Sequence, residues 1–389
     1  MRKLILILLA LALLTGCAAE SAPETTSIYT LPETTAAPET TLPPDPLDAL
    51  LSGLTVEQKV GQLFMARPEQ LLPEAGTITE ATPALENALA KYPLGGIILF
   101  ADNVVTPDQL LALNAGLSKL PGVPLFIAVD EEGGIVTRLA RNETFGLPRY
   151  GSPRFVASSG DCDAVLEMGR TIGGYLHEYG FNLDFAPVAD VNTNPRNPVI
   201  GNRAFSDHPE IAARMAAAFA QGLGENGIIA TFKHFPGHGD TAEDSDSVLA
   251  VVYKTLEELE SCEFLPFLEA SERDMIMIAH VALPNVTGDM TPATLSRQIV
   301  TDILKDQLGF EGLIVTDAME MGAIVQSYGS AEAAVAALEA GCDIILMPEN
   351  LEDAFNAVLA ALEEGRLTMQ WLDETVYRIL AFKQLHGIL

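Results

Sequence analysis

IIATFKH, residues 228–234, is uncharged for five positions and carries ionisable side chains only at its last two, Lys233 and His234. A strand covered on one face alternates apolar and polar residues. One that stays apolar residue after residue is covered on both faces, the condition of a parallel sheet with helices packed outside it. Runs of the same kind end at Phe100 (GGIILF), Asp130 (PLFIAVD), Asp190 (FNLDFAPVAD), Leu283 (MIMIAHVAL), Asp317 (GLIVTD) and Pro348 (DIILMP). Between them, amphipathic or Ala-rich stretches predict helices over 210–222, 255–270, 331–340 and 351–364. The repeated β-then-α order predicts a (β/α)8 barrel. Seven strands are plain, and the eighth is expected near SVLAVV, residues 247–252. Thr55-Val56-Glu57-Gln58 is a capping box, which opens a helix through Leu63 that is expected to cover the barrel floor and not to join the strand series.

The repeat occupies residues 47–389 with no Pro/Gly/Ser linker to divide it, so one domain is expected. Ahead of it, residues 1–16 read as a lipoprotein signal: Met1-Arg2-Lys3 precedes an apolar run, Leu4 to Leu14, too short to span a bilayer. LLTGC, residues 13–17, has the form in which such a signal is cut before a cysteine, so Cys17 is the expected lipidation site. Residues 17–46, rich in Pro, Thr, Glu and Ala, have almost nothing to bury and are expected to form an extended tether. The protein is therefore expected outside the cytoplasmic membrane, held to it by lipid. A formal net charge of −31 repels phosphate backbones and argues against a nucleic-acid partner. Cys162, Cys262 and Cys342 stand alone, without CxxC spacing, and read as small core residues.

Asp130, Asp190, Lys233, His234, His280 and Asp317 all fall at or near the carboxyl end of a strand, the face on which such barrels place their chemistry. The richest of these ends is KHFPGHGDTAEDSDSVL, residues 233–249. His234 and His238 have the spacing of helical zinc ligands, but Pro236 and Gly237 stand between them and no HExxH pattern exists, so no metal is expected. No GxxxxGK[ST] loop exists to hold a phosphate. Carboxylates without a metal or nucleotide site point to glycosyl transfer, in which one carboxylate attacks or stabilises an oxocarbenium-like centre and a second group handles the proton. Asp317 is placed to be the first of these, and an N-cap for the stretch AMEMGA is equally open to it.

KHFPGHGDT, VDEEGGIVTRL (129–139), NPVIGNRAF (197–205), HVALPNVTGDMTPATLS (280–296) and IVTDAMEMGAI (314–324) together resemble glycoside hydrolase family 3, in its β-N-acetylglucosaminidase branch. The resemblance covers residues 51–389. It implies a (β/α)8 barrel, a retaining double displacement without metal or cofactor, and removal of terminal β-linked N-acetylglucosamine from cell-wall fragments or other oligosaccharides. Carried across position by position, it makes Asp317 the nucleophile. Asp130 would accept hydrogen bonds from sugar hydroxyls, while Arg138, Arg203, Lys233 and His234 would donate to hydroxyl or acetamido oxygens. An ion pair with the surplus acid is the alternative for both arginines. His280 reads as structural or as a support behind the site residues, and Asp190 as either a cap or a supporting acceptor. The chain ends where the barrel of such enzymes ends, so the second domain of many relatives is expected to be absent.

One position departs from the pattern. In this branch the loop reads Asp-Ser-His, and the histidine, paired with the aspartate two before it, is the general acid and base; here it reads Asp244-Ser245-Asp246. An aspartate of ordinary pKa about 4 is ionised near neutrality where a histidine of about 6.5 is poised. Asp240, Glu243 and Asp244 crowd Asp246, and like charges raise the proton affinity of one of their number. Two outcomes are open. Asp246 replaces one acid by another, or the shorter side chain leaves a catalytically impaired carbohydrate-binding lipoprotein. A β-glucosidase-type hydrolase of the same family is a further alternative.

Overall fold

In the computed structural model, which describes residues 46–389, eight parallel strands form a closed ring. They are β1 (Phe64–Ala66), β2 (Gly96–Ile98), β3 (Phe126–Val129), β4 (Leu183–Asp184), β5 (Ile229–Phe235), β6 (Met275–Ile278), β7 (Leu313–Thr316) and β8 (Ile345–Leu346). The strands pair in chain order, β8 pairs with β1, and a parallel bridge between Val315 and Ile344 joins β7 to β8. Every strand residue is buried, as the unbroken apolar runs require. The fold is the expected (β/α)8 barrel. The expected signal, Cys17 and all of the expected tether but Pro46, which begins the helix Pro46–Gly53, lie outside the described residues. Among the described residues no helix is long and apolar enough to cross a membrane.

The eighth strand is not the expected one. SVLAVV contributes only Ala250–Val251, which pairs with Val281–Ala282 in a separate two-stranded sheet past the end of β6. The ring is completed by β1, where Phe64 pairs with Ile345 and Met65 with Gly96. Three residues directly behind a helix show no periodicity, and no turn residue separates them from it. The helix itself, Val56–Gln62, is where its capping box puts it: Gln58 N–H donates to Thr55 Oγ1 at 3.2 Å and Thr55 N–H to Gln58 Oε1 at 2.9 Å. The helix expected over 255–270 is broken into Leu256–Glu260 and a 3-10 turn, Leu265–Glu269, because Pro266 has no N–H to continue it. Pro209–Gly224, Ser330–Ala340 and Leu351–Glu363 lie close to expectation.

The floor is tied by a buried lysine. Lys383, from the helix Met369–Leu385, donates through Nζ to Gln62 Oε1 at 2.8 Å, Gly95 O at 2.9 Å and Pro124 O at 2.7 Å. It also lies 4.7 Å from the centroid of the Phe126 ring. Gly95 and Pro124 precede β2 and β3, so the last helix is fastened to the amino end of the barrel. Burial pushes the ammonium down to about 7.

Candidate active site

At the opposite, carboxyl end of the strands a cavity of about 230 Å³ receives side chains from most of the ring. Ile98 and Phe185, with Met277 and Leu346, form apolar wall, and Asp130, Glu132, Arg138, Arg203, Lys233, His234, Asp246 and Asp317 supply the polar one. Of the residues expected to do chemistry or bind sugar, all but Asp244 line this cavity.

Asp317 leaves β7 and accepts the N–H of Ala318 at 2.8 Å. It does not cap the following helix, which begins at Gly322 with Met321 at the N-cap. Burial works to raise its proton affinity, but His234, His280, the Ala318 N–H and Lys233 outweigh it and hold the carboxyl below the ordinary aspartate range. It is a persistent anion. His280 is wholly buried, with Nδ1 2.7 Å from Thr294 Oγ1 and Nε2 3.0 Å from Ala318 O, a structural neighbour as expected.

Asp246 is exposed at the cavity mouth and has the opposite tendency. Partial burial, Asp244 and Asp317 raise its proton affinity above that of an ordinary aspartate. Asp244 acts on it in two ways: its charge disfavours the Asp246 anion, and its Oδ1 accepts the Asp246 N–H at 3.0 Å. Two carboxyls with unlike proton affinities thus share one cavity, the arrangement that lets one stay anionic while the other holds a proton.

The cations are paired across the cavity. Lys233 Nζ lies 2.8 Å from Asp130 Oδ1 and 2.7 Å from Glu132 Oε1. Arg203 grips Glu132 through two bonds, Nε to Oε2 at 2.9 Å and Nη2 to Oε1 at 2.7 Å. Glu132 is buried, yet Arg203 and Lys233 overcome that burial and hold it well below the carboxylate range. The ion-pair alternative therefore describes part of what Arg203 does, but its partner also lines the cavity. Arg138 reaches Asp130 at 3.4 Å and lies 5.2 Å from the Phe100 ring centroid, while its buried Nε has no partner among the described residues.

Sequence reasoning passed over several members of this arrangement. Glu132 sits in DEEGG beside Asp130, and its neighbour Glu131 is wholly buried. Glu131 accepts the N–H groups of Arg138, Leu139 and Ala140 and, at 2.9 Å, the Tyr175 hydroxyl, so it folds the segment that presents Arg138. Three consecutive acids at a strand end were the available signal. His238, weighed only as a metal ligand, has Nε2 2.8 Å from Ser245 Oγ and Nδ1 2.8 Å from Thr241 Oγ1, and so organises the loop from within. Asp190 is a supporting acceptor: its Oδ1 takes the His238 N–H at 2.6 Å.

Comparison with known proteins gives this arrangement a context. The description "Glycosyl hydrolase family 3 N terminal domain" matches residues 55–382. Beta-hexosaminidase A of Pseudoalteromonas piscicida is 33% identical over 368 residues, covering 85% of this chain and 61% of that protein. A beta-hexosaminidase of Chromobacterium violaceum is 38% identical over 294 residues, covering 73% of this chain and 79% of its own. The solved structure of a glycoside hydrolase family 3 beta-N-acetylglucosaminidase from Paenibacillus sp. str. FPU-7 superposes with a TM-score of 0.80 at 40% identity, covering 86% of this chain and 63% of that one. The chain thus spans less than two thirds of the first and third of these proteins.

Proposed function

Since this chain belongs to glycosyl hydrolase family 3, we propose that it is a glycosidase that removes terminal β-linked N-acetylglucosamine by double displacement. The observation that carries this reading is the pair of unlike carboxyls: Asp317 held anionic by its surroundings and Asp246 with its proton affinity raised, both facing one cavity. In the first step Asp317 attacks the anomeric carbon, the bond to the leaving oxygen breaks, and Asp246 gives that oxygen its proton. In the second, the Asp246 carboxylate takes a proton from water as the water displaces Asp317. Sugar hydroxyls would bridge Asp130 and Lys233, and Arg138, Arg203 and His234 would donate to the remaining oxygens. The acetamido preference is supported by relatives named beta-hexosaminidase and beta-N-acetylglucosaminidase.

The enzyme would work outside the cytoplasmic membrane on fragments of cell-wall glycan, tethered through Cys17; the support is the LLTGC sequence and the polar stretch after it. The test is a panel of nitrophenyl glycosides. Release of nitrophenol from the N-acetyl-β-glucosaminide, at least about tenfold faster than from the β-glucoside, supports the reading. Asp317→Asn should remove turnover by at least about four orders of magnitude with the fold retained. Binding of N-acetylglucosamine without turnover of any glycoside would replace the hydrolase by a carbohydrate-binding protein.

A further inference from the structure

The loop that carries Asp246 is fastened at both ends. At its start, a Cβ on Gly239 would lie 1.9 Å from Val191 O, so only glycine fits there. Asn194 N–H donates to Gly239 O at 3.1 Å, and the Asn197 amide donates to His238 O at 2.8 Å and Thr241 O at 3.1 Å. At its end the fastening comes from the segment that leaves β7. Gly322 N–H donates to Asp246 O at 2.9 Å, Ala323 N–H to Ser245 O at 3.2 Å, and the Gln326 amide to Ser247 O.

Gly322 does not adopt a left-handed backbone, so conformation does not demand glycine there. Close approach does. A Cβ would stand 2.6 Å from Ser247 O and 2.8 Å from Asp246 O, inside any distance that real Cβ atoms keep. Both contacted atoms are backbone, which cannot swing aside as a side chain would. The segment in question begins with Asp317 itself, so the same few residues carry one carboxyl and seat the backbone of the other.

We propose that Gly322 is a positioning residue that fixes how far Asp246 stands from Asp317, acting through backbone contact with the loop and never touching substrate. The role rests on Asp246 being the proton donor. A displaced donor matters in proportion to the basicity of the leaving oxygen: dinitrophenolate departs without help, whereas phenolate needs the proton. The quantity to read is kcat/KM, which covers only the steps through cleavage of the glycosidic bond and so excludes the later demand on Asp246 as a base.

The test uses the full chain, wild type against Gly322→Ala, with Gln326→Ala as a second variant because Gln326 is exposed and its loss leaves the fold intact. Two measurements are made. Hydrogen exchange over residues 242–248 should quicken in both variants. The kcat/KM for the phenyl N-acetyl-β-glucosaminide should fall about 10- to 100-fold in Gly322→Ala and about two- to fivefold in Gln326→Ala, while that for the dinitrophenyl glycoside stays within about twofold. Unchanged exchange in both variants would overturn the contact, and equal losses on the two glycosides would overturn the positioning role. If Gly322→Ala does not fold, Gln326→Ala decides by the same criteria. A wild type inactive on both glycosides refutes the glycosidase reading on which the role rests, one active on the dinitrophenyl glycoside alone refutes Asp246 as donor and the positioning role with it, and both are distinguished from the other failures because no variant is needed to see them.

Discussion

Asp190 Oδ2 lies 2.7 Å from Nδ1 of His234, deep enough that no part of the Asp190 side chain meets solvent. The ring nitrogen left to face the cavity is therefore Nε2. His234 and His238 together hold Asp190 below the ordinary aspartate range against its burial. Replacing it by asparagine keeps the size and removes the charge that orients the ring. Asp190→Asn should lower kcat/KM by roughly ten- to a hundredfold, the worth of a hydrogen bond to a charged group, with the fold intact by circular dichroism. Unaltered kinetics would show that the orientation of His234 does not matter to turnover.

The pH profile should report Asp246. Its proton affinity is raised, first by partial burial and then by Asp244 and Asp317, and it must be protonated to donate. Activity on natural disaccharides is therefore expected to be highest on the acid side and to fall as pH rises and Asp246 ionises. Asp246→His should move the limb towards neutrality and raise the rate on disaccharides more than on aryl glycosides. If the histidine instead lowers both rates, the loop is built around a carboxyl donor.

Stability should carry the signature of Lys383. Its folded pKa of about 7 lies below the unfolded value of about 10.4, so the folded state holds fewer protons between the two. The cost of keeping this ammonium buried is felt in full below about pH 7 and eases as pH rises towards 10.4, for a total of up to roughly 4–5 kcal/mol. Lys383→Met removes that slope and takes a donor from Gln62 Oε1, Pro124 O and Gly95 O, the last of which keeps the N–H of Phe126. Denaturant unfolding at a series of pH values should show the gap between wild type and variant widening as pH rises; a constant gap refutes the linkage.

Cell fractionation addresses the anchor. Cys17→Ser should move the protein from the membrane pellet to the soluble fraction, because the stretch after Cys17 has no apolar surface of its own. Retention in the pellet, with no acyl group found on wild-type Cys17, refutes lipid anchoring.

The strands that could be read in the sequence were those long enough to stay apolar between turn signals, and β5, with seven buried residues, is the plainest of them. β1 escaped because three residues behind a helix carry no period, and SVLAVV misled because a pair outside the ring satisfies the same apolar pattern. The site was legible wherever an ionisable residue ended a strand, as at Asp130, Lys233 and Asp317. Glu132 and His238 were harder to read: the ring of His238 meets hydroxyls within its own loop, at Thr241 and Ser245, where no regular spacing marks the contact, and the partners of Glu132 lie far along the chain. Glu132 meets Arg203 across 71 positions, a relation that no local pattern records.

The pairing of Phe64 with Ile345 has a consequence for the order of events when the protein is made. The ring joins its first strand to its last, so β1 has to wait with an unpaired edge until nearly the whole chain is available. Contacts so distant in sequence form slowly, and open parallel edges invite association in the interval. A nascent chain halted before Ile345 would expose the flanks of both β1 and β7 at once. Emergence of β8, and not of any earlier motif, is then the moment at which the barrel becomes resistant to proteases.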